Sequence, residues 1–298
     1  MPLICEISAL VTAFFWSISS LSFAAATRTT GSVQVNVTRL ILATVLLSGL
    51  VLIARLDTQV STLQMMYLGA SSIIGFAFGD TFLFLSFKRI GARLTMLVMS
   101  LAPAVATLLA YILLGEELST VGVLGIVVTI LGISFVVLEP GSVNGGTTVL
   151  HATIGGLAYA LLAAIGQGGG LVVAKLAFRE GAVNGFVATE IRVTASLLVL
   201  LPAAVMSGKY RRPVRTFRKD PRAFLFTAIG AVFGPFLGVA GSLIAIQHTK
   251  VGIAATLMAT TPILMLPLVH IVHKEQLTWR AFAGAFIAVG GIAILFVR

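Results

Sequence analysis

Ten runs of predominantly apolar residues, separated by short polar breaks, follow one another along the chain. Each run has about the 20 residues that a helix needs to cross the hydrocarbon core of a bilayer. Lipid offers no hydrogen-bond partner to a bare backbone amide, so runs of this kind must be helical. The pattern predicts an all-α integral membrane protein with ten transmembrane helices, over residues 3–25, 33–54, 63–87, 94–114, 121–138, 151–174, 183–206, 223–246, 252–272 and 281–297.

The composition excludes a soluble globular protein. Of the 298 residues, 58% are hydrophobic and 10% are charged, and the mean hydropathy is +1.07, whereas a soluble protein carries roughly 25% charged residues. We interpret the net charge of +10 as loop charge facing an anionic membrane surface rather than as a nucleic-acid footprint. The single cysteine, Cys5, excludes a disulfide framework. Glu6 lies inside the first run, which favours a mature span over a cleaved signal peptide.

The two halves of the chain repeat each other. A shift of 159 residues superimposes Gly75 and Gly79 on Gly234 and Gly238, Pro103 on Pro262, Glu116 on Glu275, Gly125 on Gly284, and Gly132 on Gly291. A shift of 153 brings Arg39 onto Arg192. We predict a first five-helix repeat at 1–139, a linker at 140–149 and a second repeat at 150–298. Since five is odd, the second repeat enters the membrane inverted, as is typical of secondary transporters with substrate at the midplane.

Several segments of this repeat resemble the drug/metabolite transporter superfamily, EamA type. They are Gly-Asp-Thr-Phe-Leu-Phe-Leu-Ser-Phe-Lys-Arg-Ile-Gly-Ala at 79–92, Leu-Ala-Pro at 101–103, Leu-Gly-Glu-Glu-Leu at 114–118, Thr-Thr-Pro at 260–262 and His-Lys-Glu-Gln-Leu at 273–277. Lys274 departs from the glycine that the family pattern prefers there. The resemblance covers essentially the whole chain. It implies a ten-helix carrier of small metabolites, often an exporter, with substrate between the two bundles.

Glycines and prolines mark where helices pack closely or break. Gly75 and Gly79, like Gly234 and Gly238, place small residues on one helix face, which predicts tight packing or a seam along which the two bundles slide.

Pro103 and Pro262 interrupt the fourth and ninth runs, so each is predicted to kink its helix and free a carbonyl four residues back, at Met99 and Met258. A hydroxyl of Ser100 or Thr261 is the expected partner. Paired breaks at equivalent positions point to the binding site.

Charged residues inside the spans are the main functional candidates: Glu6, Arg39, Asp80, Lys175, Glu190 and Arg192. Such groups are costly in lipid and are usually paired or face a wet cavity. Arg39 and Asp80 lie about 9 and 10 Å from the same membrane face, so we predict that they pair. The other four belong toward the opposite face, where Glu190 pairs with Lys175 or Arg192 with Glu6. A purely structural role for these pairs stays open.

Other polar residues are candidates for a midplane pocket, through stacking or hydrogen bonds: Trp16, Asn36, Gln167, Thr260 and Thr261. Glu116 and Glu275 are interpreted as acids at helix N-termini rather than as site residues. His270 and His273 have a metal-ligand spacing, but Glu275 is the only carboxylate nearby, so neither a metal nor a cofactor is expected.

A transporter fits the sequence better than the other classes. A membrane aspartyl enzyme needs two facing aspartates, and Asp57 and Asp220 both lie in predicted loops. A channel is less consistent with proline breaks in a two-copy chain. We expect a small-molecule substrate, first an amino acid or similar zwitterion or anion and alternatively a drug cation exported against protons. Lipid is the other expected partner, nucleic acid is not, and we expect a monomer, with an oligomer left open.

The distribution of basic residues predicts the orientation. Thirteen bases fall on one predicted face, seven of them in the segment 209–222 from Lys209 to Arg222, and five fall on the other. The positive-inside rule places this segment in the cytoplasm and both termini outside it, in a multi-pass protein of the cell membrane. The family resemblance favours cytoplasmic termini, so the two lines of inference conflict.

Overall fold

A computed structural model describes residues 2–114, 120–137, 153–248, 257–273 and 278–295. Over these ranges the regular structure is helical throughout, without a strand. In the first half, α1 is Pro2–Thr30, α2 Ser32–Ile53, α3 Thr62–Ser72, α4 Asp80–Met99, α5 Ala102–Leu114 and α6 Thr120–Val137. In the second, α7 is Ile154–Arg179, α8 Gly185–Met206, α9 Pro213–Lys219, α10 Pro221–Ala231, α11 Leu237–His248, α12 Thr261–His273 and α13 Trp279–Leu295.

Short polar residues at the helix starts explain where the elements begin. Ser61 and Gln64 form a capping box, in which the Ser61 hydroxyl accepts from the Gln64 amide at 3.1 Å and the Gln64 side chain accepts from the Ser61 amide at 2.9 Å. The Asn184 side chain accepts from the Phe186 amide at 2.9 Å at the start of α8. Between α1 and α2, Gly31 has a φ of 90°, which permits the tight turn.

Six helical stretches are long and apolar enough to cross a bilayer: Ile7–Thr30, Ser32–Ile53, Thr62–Met99, Ile154–Arg179, Gly185–Met206 and Pro221–Ala245. Shorter apolar helices at Thr120–Phe135 and Phe282–Gly291 lie where the fifth and tenth spans were predicted. The chain is therefore an all-helical, multi-pass membrane protein. The ten-helix count reaches into 115–119, 138–152, 249–256 and 274–277, outside the described residues, and stays a prediction.

The predicted boundary between the third and fourth spans is confirmed. The sequence predicts a break between residues 87 and 94, and Gly91, with φ 73° and ψ 175°, is not helical, so that α4 consists of two helices that meet at this residue. The predicted fourth span, 94–114, has a further break at 100–101, before α5. The reasons are local: Gly91 adopts a positive φ that most residues disfavour, and Pro103 has no amide to continue the hydrogen bonding of the preceding helix.

The repeat found in the sequence also appears in the helix boundaries. The starts of α3, α5 and α6 correspond at a shift of 159 residues to the starts of α10, α12 and α13. A wide-turn π segment follows α3 at Ile73–Gly79 and another follows α10 at Val232–Phe236, again 159 residues apart at their starts. Two independent halves of the chain thus adopt the same irregular backbone at the same places.

Contacts between helices follow the same symmetry. The first helix of each half packs against the third and fourth spans of the other, α1 against α10, α11 and α12, and α7 against α3, α4 and α5. The second helices pack together as α2 with α8, and the last as α6 with α13. Such reciprocal pairing is what two copies related by a pseudo-twofold axis produce.

The glycine faces lie at the contacts between halves. Gly75 and Gly79 lie against Gly166 and Gly170 of α7, where a methyl group added at Gly79 would stand 3.3 Å from the Gly166 carbonyl carbon. On the equivalent contact, Gly238 leaves room for the Trp16 ring and Gly234 for Ser19 of α1. These glycines allow close packing of the two halves, and sliding along this seam stays a prediction.

The crossing of α6 and α13 supplies a sharp stability prediction. A methyl group in Gly132→Ala would stand 2.9 Å from the Ala288 Cα, and one in Gly291→Ala would meet the Thr129 backbone. Each variant is expected to cost about 1–3 kcal/mol through overpacking, measured by thermal unfolding of the purified protein. Gly290 is the matched control, because its added methyl group meets nothing within 4 Å. Equal destabilisation by Gly290→Ala would contradict the close crossing.

Candidate functional site

A cavity of about 170 Å³ lies between the two halves. Its lining comes from α1, α2, α4 and α5 with the first π segment, and from α7, α8, α11 and α12 with the second, while α6 and α13 contribute none of the described lining residues. The charged residues of the lining are Arg39, Asp80 and Arg192. The first four spans of each half thus enclose a small, largely apolar chamber that contains three charged side chains.

Arg39 and Asp80 form a buried ion pair in this cavity, with side chains that are 5% and 3% exposed. The predicted meeting of these two residues is confirmed. The Gln167 side-chain amide donates to the other Asp80 carboxylate oxygen at 2.7 Å, and Asn36 accepts from the Arg39 Nε at 3.0 Å. Asp80 is therefore bound from both halves, and Asn36 orients the arginine without lining the cavity itself.

Two aromatic rings complete the surroundings of Arg39. Its guanidinium carbon lies 4.9 Å from the ring centroid of Phe84 and 5.5 Å from that of Phe23, within the range of a cation–π interaction. Sequence reasoning missed both phenylalanines, because a phenylalanine in an apolar span has no signal that distinguishes a cavity position from a lipid-facing one.

Arg192 enters the same cavity from α8 and is 4% exposed. Its guanidinium carbon lies 4.7 Å from the ring centroid of Phe76, and it interacts electrostatically with Asp80. Its Nε has no hydrogen-bond partner among the residues described. The Ser72 hydroxyl donates to its backbone carbonyl. A buried cation with an unused donor is the least satisfied group of the cavity.

The sequence predicts Arg192 toward the face opposite to Asp80, yet the side chains of both residues line one cavity. Both residues lie about 10 Å deep from their own faces of a core about 30 Å thick, so long side chains reach the same central space. The predicted partner Glu6 has a side chain outside the described part of the chain.

Glu190 lies away from the cavity. Its carboxylate accepts a hydrogen bond from the Ser48 hydroxyl at 2.7 Å, and it is not among the described lining residues. Its predicted pairing with Lys175 stays a prediction. Two residues apart on one helix, Glu190 and Arg192 point to different sides, and only the second points into the cavity.

Both spans are interrupted just before their prolines, so the paired breaks predicted from Pro103 and Pro262 are present, with each proline in the first turn of the helix that follows. Pro103 is the second residue of α5 and Pro262 the second of α12, after breaks at 100–101 and 259–260, where a missing amide costs least. Both prolines line the cavity.

The hydroxyls around these breaks satisfy freed carbonyls. Thr261 donates to the Met258 carbonyl at 2.7 Å, as predicted, and Ser100 donates to Leu97 rather than to Met99. Thr260 donates to the Leu257 carbonyl at 2.6 Å and does not line the cavity, whereas Thr261 does.

The remaining candidates divide between the cavity and its supports. Trp16, Gln167 and Gly234 line the cavity, whereas Gly75, Gly79 and Gly238 lie at the helix contacts behind it. Small polar residues that the sequence did not single out also line it: Ser19, Ser20 and Ser242. Among the described residues no cluster of three metal-ligating side chains occurs. The side chains of His273 and Glu275 fall outside that part of the chain.

Comparison with known proteins agrees with this architecture. No curated protein matches the chain. Among the solved structures that match, one crystal structure of a protein aligns with a TM-score of 0.67 and 16% identity, covering 98% of this chain and 96% of that one, which supports the fold alone. The model of the EamA-like transporter family matches twice, at residues 3–138 and 154–297. The chain belongs to the EamA-like transporter family.

Proposed function

We propose that the protein is a secondary transporter that exports a small carboxylate-bearing metabolite, an amino acid or a similar zwitterion or anion. Ten helices in two inverted five-helix repeats, at 1–139 and 150–298, alternate access to the cavity between them. The family is a transporter family, and the reciprocal helix contacts support the inverted arrangement. The cavity at the junction of the repeats is where such carriers hold substrate.

The observation that supports the substrate class is that the buried Nε of Arg192 has no hydrogen-bond partner among the residues that the structure describes. The described lining has two bases and one acid. The acid, Asp80, is already engaged by Arg39 and Gln167. One buried positive charge therefore exceeds the negative charge of the cavity, and its planar guanidinium matches a carboxylate in a bidentate geometry. Trp16 and the serine hydroxyls are placed to hold the rest of a small polar substrate.

The cavity volume favours a small metabolite over a bulky drug. At about 170 Å³ it is smaller than the roughly 300–1,000 Å³ of pockets that enclose drug-sized ligands. A drug cation would also need an unpaired acid, whereas the carboxylate of Asp80 is bound on both oxygens. These two features make the multidrug alternative the weaker one.

The decisive experiment is a stabilisation screen of purified protein against metabolite classes, followed by flux in proteoliposomes. Carboxylate-bearing compounds are expected to be transported and to raise the melting temperature. At a concentration a hundredfold above Kd, binding adds about 2.7 kcal/mol to the free energy of unfolding. The matched amides, which lack the carboxylate charge, are the control. Stabilisation by organic cations alone would overturn the proposal. Flux with and without a pH gradient separates proton-coupled export from facilitated flow or exchange.

The proposed orientation gives a separate test. With the segment 209–222 in the cytoplasm, both termini of this cell-membrane protein lie outside. Cys5 is the only cysteine of the chain, so an impermeant thiol reagent is expected to label the protein in intact cells. A Cys5→Ser variant controls for other reactive groups. Labelling that needs cell lysis would instead support cytoplasmic termini.

A further inference from the structure

A second cavity, an apolar groove of about 540 Å³, is separate from the charged chamber and lies between α2 and the basic segment, residues 209–222. Its walls are Ile41 and Leu42 of α2, Pro213, Val214 and Phe217 of α9, and Pro221 and Phe224 of α10. Thr38, Tyr210 and Arg218 complete its lining. Val214 and Phe224 are 65% and 43% exposed, so the groove opens on the outer surface of the protein.

The basic segment is fixed against α2 by specific contacts. The buried Gln34 side chain donates to the carbonyls of Lys209 and Arg211, each at 3.3 Å, and the hydroxyls of Thr38 and Tyr210 lie 3.1 Å apart. Phe217 is 8% exposed. The groove is thus a formed feature of the fold.

The charge around the groove is strongly one-sided. All seven bases of the segment 209–222 are exposed. Its single acid, Asp220, caps α10 by accepting from the Ala223 amide at 3.0 Å. Hydrogen bonds from Thr29 and from this amide hold the pKa of Asp220 below its usual range, so it stays ionised as a helix cap. The segment 209–222 therefore carries a net charge of about +6, from seven bases and one acid.

We propose that this groove binds an anionic phospholipid, with an acyl chain against Leu42, Val214 and Phe224 and the phosphate at Arg218. The apolar walls need a hydrocarbon occupant, and the arginine at the rim needs an anion. A soluble anion would leave the walls uncovered. A second copy of this chain docked through the same groove would place its seven bases opposite these seven, and the like charges would repel. A lipid with a negative headgroup meets both requirements.

The test compares lipids added to the purified protein in a neutral detergent. Phosphatidylglycerol is expected to raise the melting temperature and to remain bound in native mass spectrometry, whereas phosphatidylcholine is expected to do neither. Arg218→Gln should weaken retention of phosphatidylglycerol about fivefold, since one surface base contributes about 1 kcal/mol. Arg55→Gln, an exposed arginine outside the groove, is the matched control and should change little.

A second variant tests the apolar part of the site. Ile41→Trp fills the groove without changing its charge and should abolish retention of phosphatidylglycerol while all arginines remain. Equal losses in Arg218→Gln and Arg55→Gln would overturn the proposal in favour of general charge attraction. Full retention of phosphatidylglycerol in Ile41→Trp would also overturn the proposal, because the groove would then not be the binding site. Stabilisation by inorganic phosphate alone would replace the lipid with a soluble anion.

Discussion

Asp80→Asn is expected to abolish transport and to lower the stability of the protein by about 3–5 kcal/mol, because it leaves Arg39 as an uncompensated buried charge. Both side chains are at most 5% exposed, so solvent does not replace the lost partner. Arg39→Gln should cost a similar amount for the converse reason. Thermal unfolding of the purified variants and flux in proteoliposomes measure the two effects.

The double variant separates a folding role from a transport role. With Asp80→Asn and Arg39→Gln combined, the Arg39 charge is removed together with its partner, so most of the lost stability should recover, although Arg192 still loses its interaction with Asp80, while coupled transport stays lost. The position that corresponds to Asp80 in the second repeat is Val239. This asymmetry favours a functional pair, because a pair needed only for folding would be expected in both copies.

Controls for these variants come from the loops. Asp57→Asn and Arg55→Gln make the same chemical changes at exposed positions and should leave stability within about 0.5 kcal/mol. Recovery of full, pH-dependent transport in the double variant would make the pair structural only. Equal damage in single and double variants would mean that the two charges do not act on each other.

Arg192→Gln is expected to leave the stability of the protein unchanged or to raise it, and to weaken substrate binding strongly. The arginine is buried, its Nε has no hydrogen-bond partner in the described part of the chain, and Asp80 keeps Arg39 when Arg192 is neutralised. Removing a poorly compensated buried cation is neutral or stabilising. Losing the charge that holds a desolvated carboxylate costs about 2–5 kcal/mol of binding, or about 30-fold to more than 1,000-fold in affinity.

A conservative variant refines this second prediction. Arg192→Lys keeps the charge but loses the planar fork, so it should bind substrate with intermediate affinity. Substrate-dependent stabilisation and flux in wild-type protein, Arg192→Gln and Arg192→Lys give the comparison. If Arg192→Gln were destabilised as strongly as Asp80→Asn, Arg192 would be a structural residue and the proposed carboxylate site would be lost.

Predictions from the sequence were most successful for features that depend on residues close together in the chain. Apolar length predicted the spans, and the alignment of Pro103 with Pro262 gave the shift at which helix starts and π segments recur. Depth counted from the span ends also sufficed to pair Arg39 with Asp80, since both were measured from the same face. The same counting did not anticipate that the Arg192 side chain reaches the cavity that contains Asp80.

What the sequence alone determined is thus the membrane class, the twofold repetition and the places where helices break, all of which depend on residues close together in the chain. What only the tertiary structure decided is the lining of the cavity: Arg192 beside Asp80, Phe23 and Phe84 against Arg39, and Glu190 outside. Each of these depends on how a helix is rotated about its axis. A span that is apolar on every side has no polar face to fix that rotation, so contacts with helices of the other half set it.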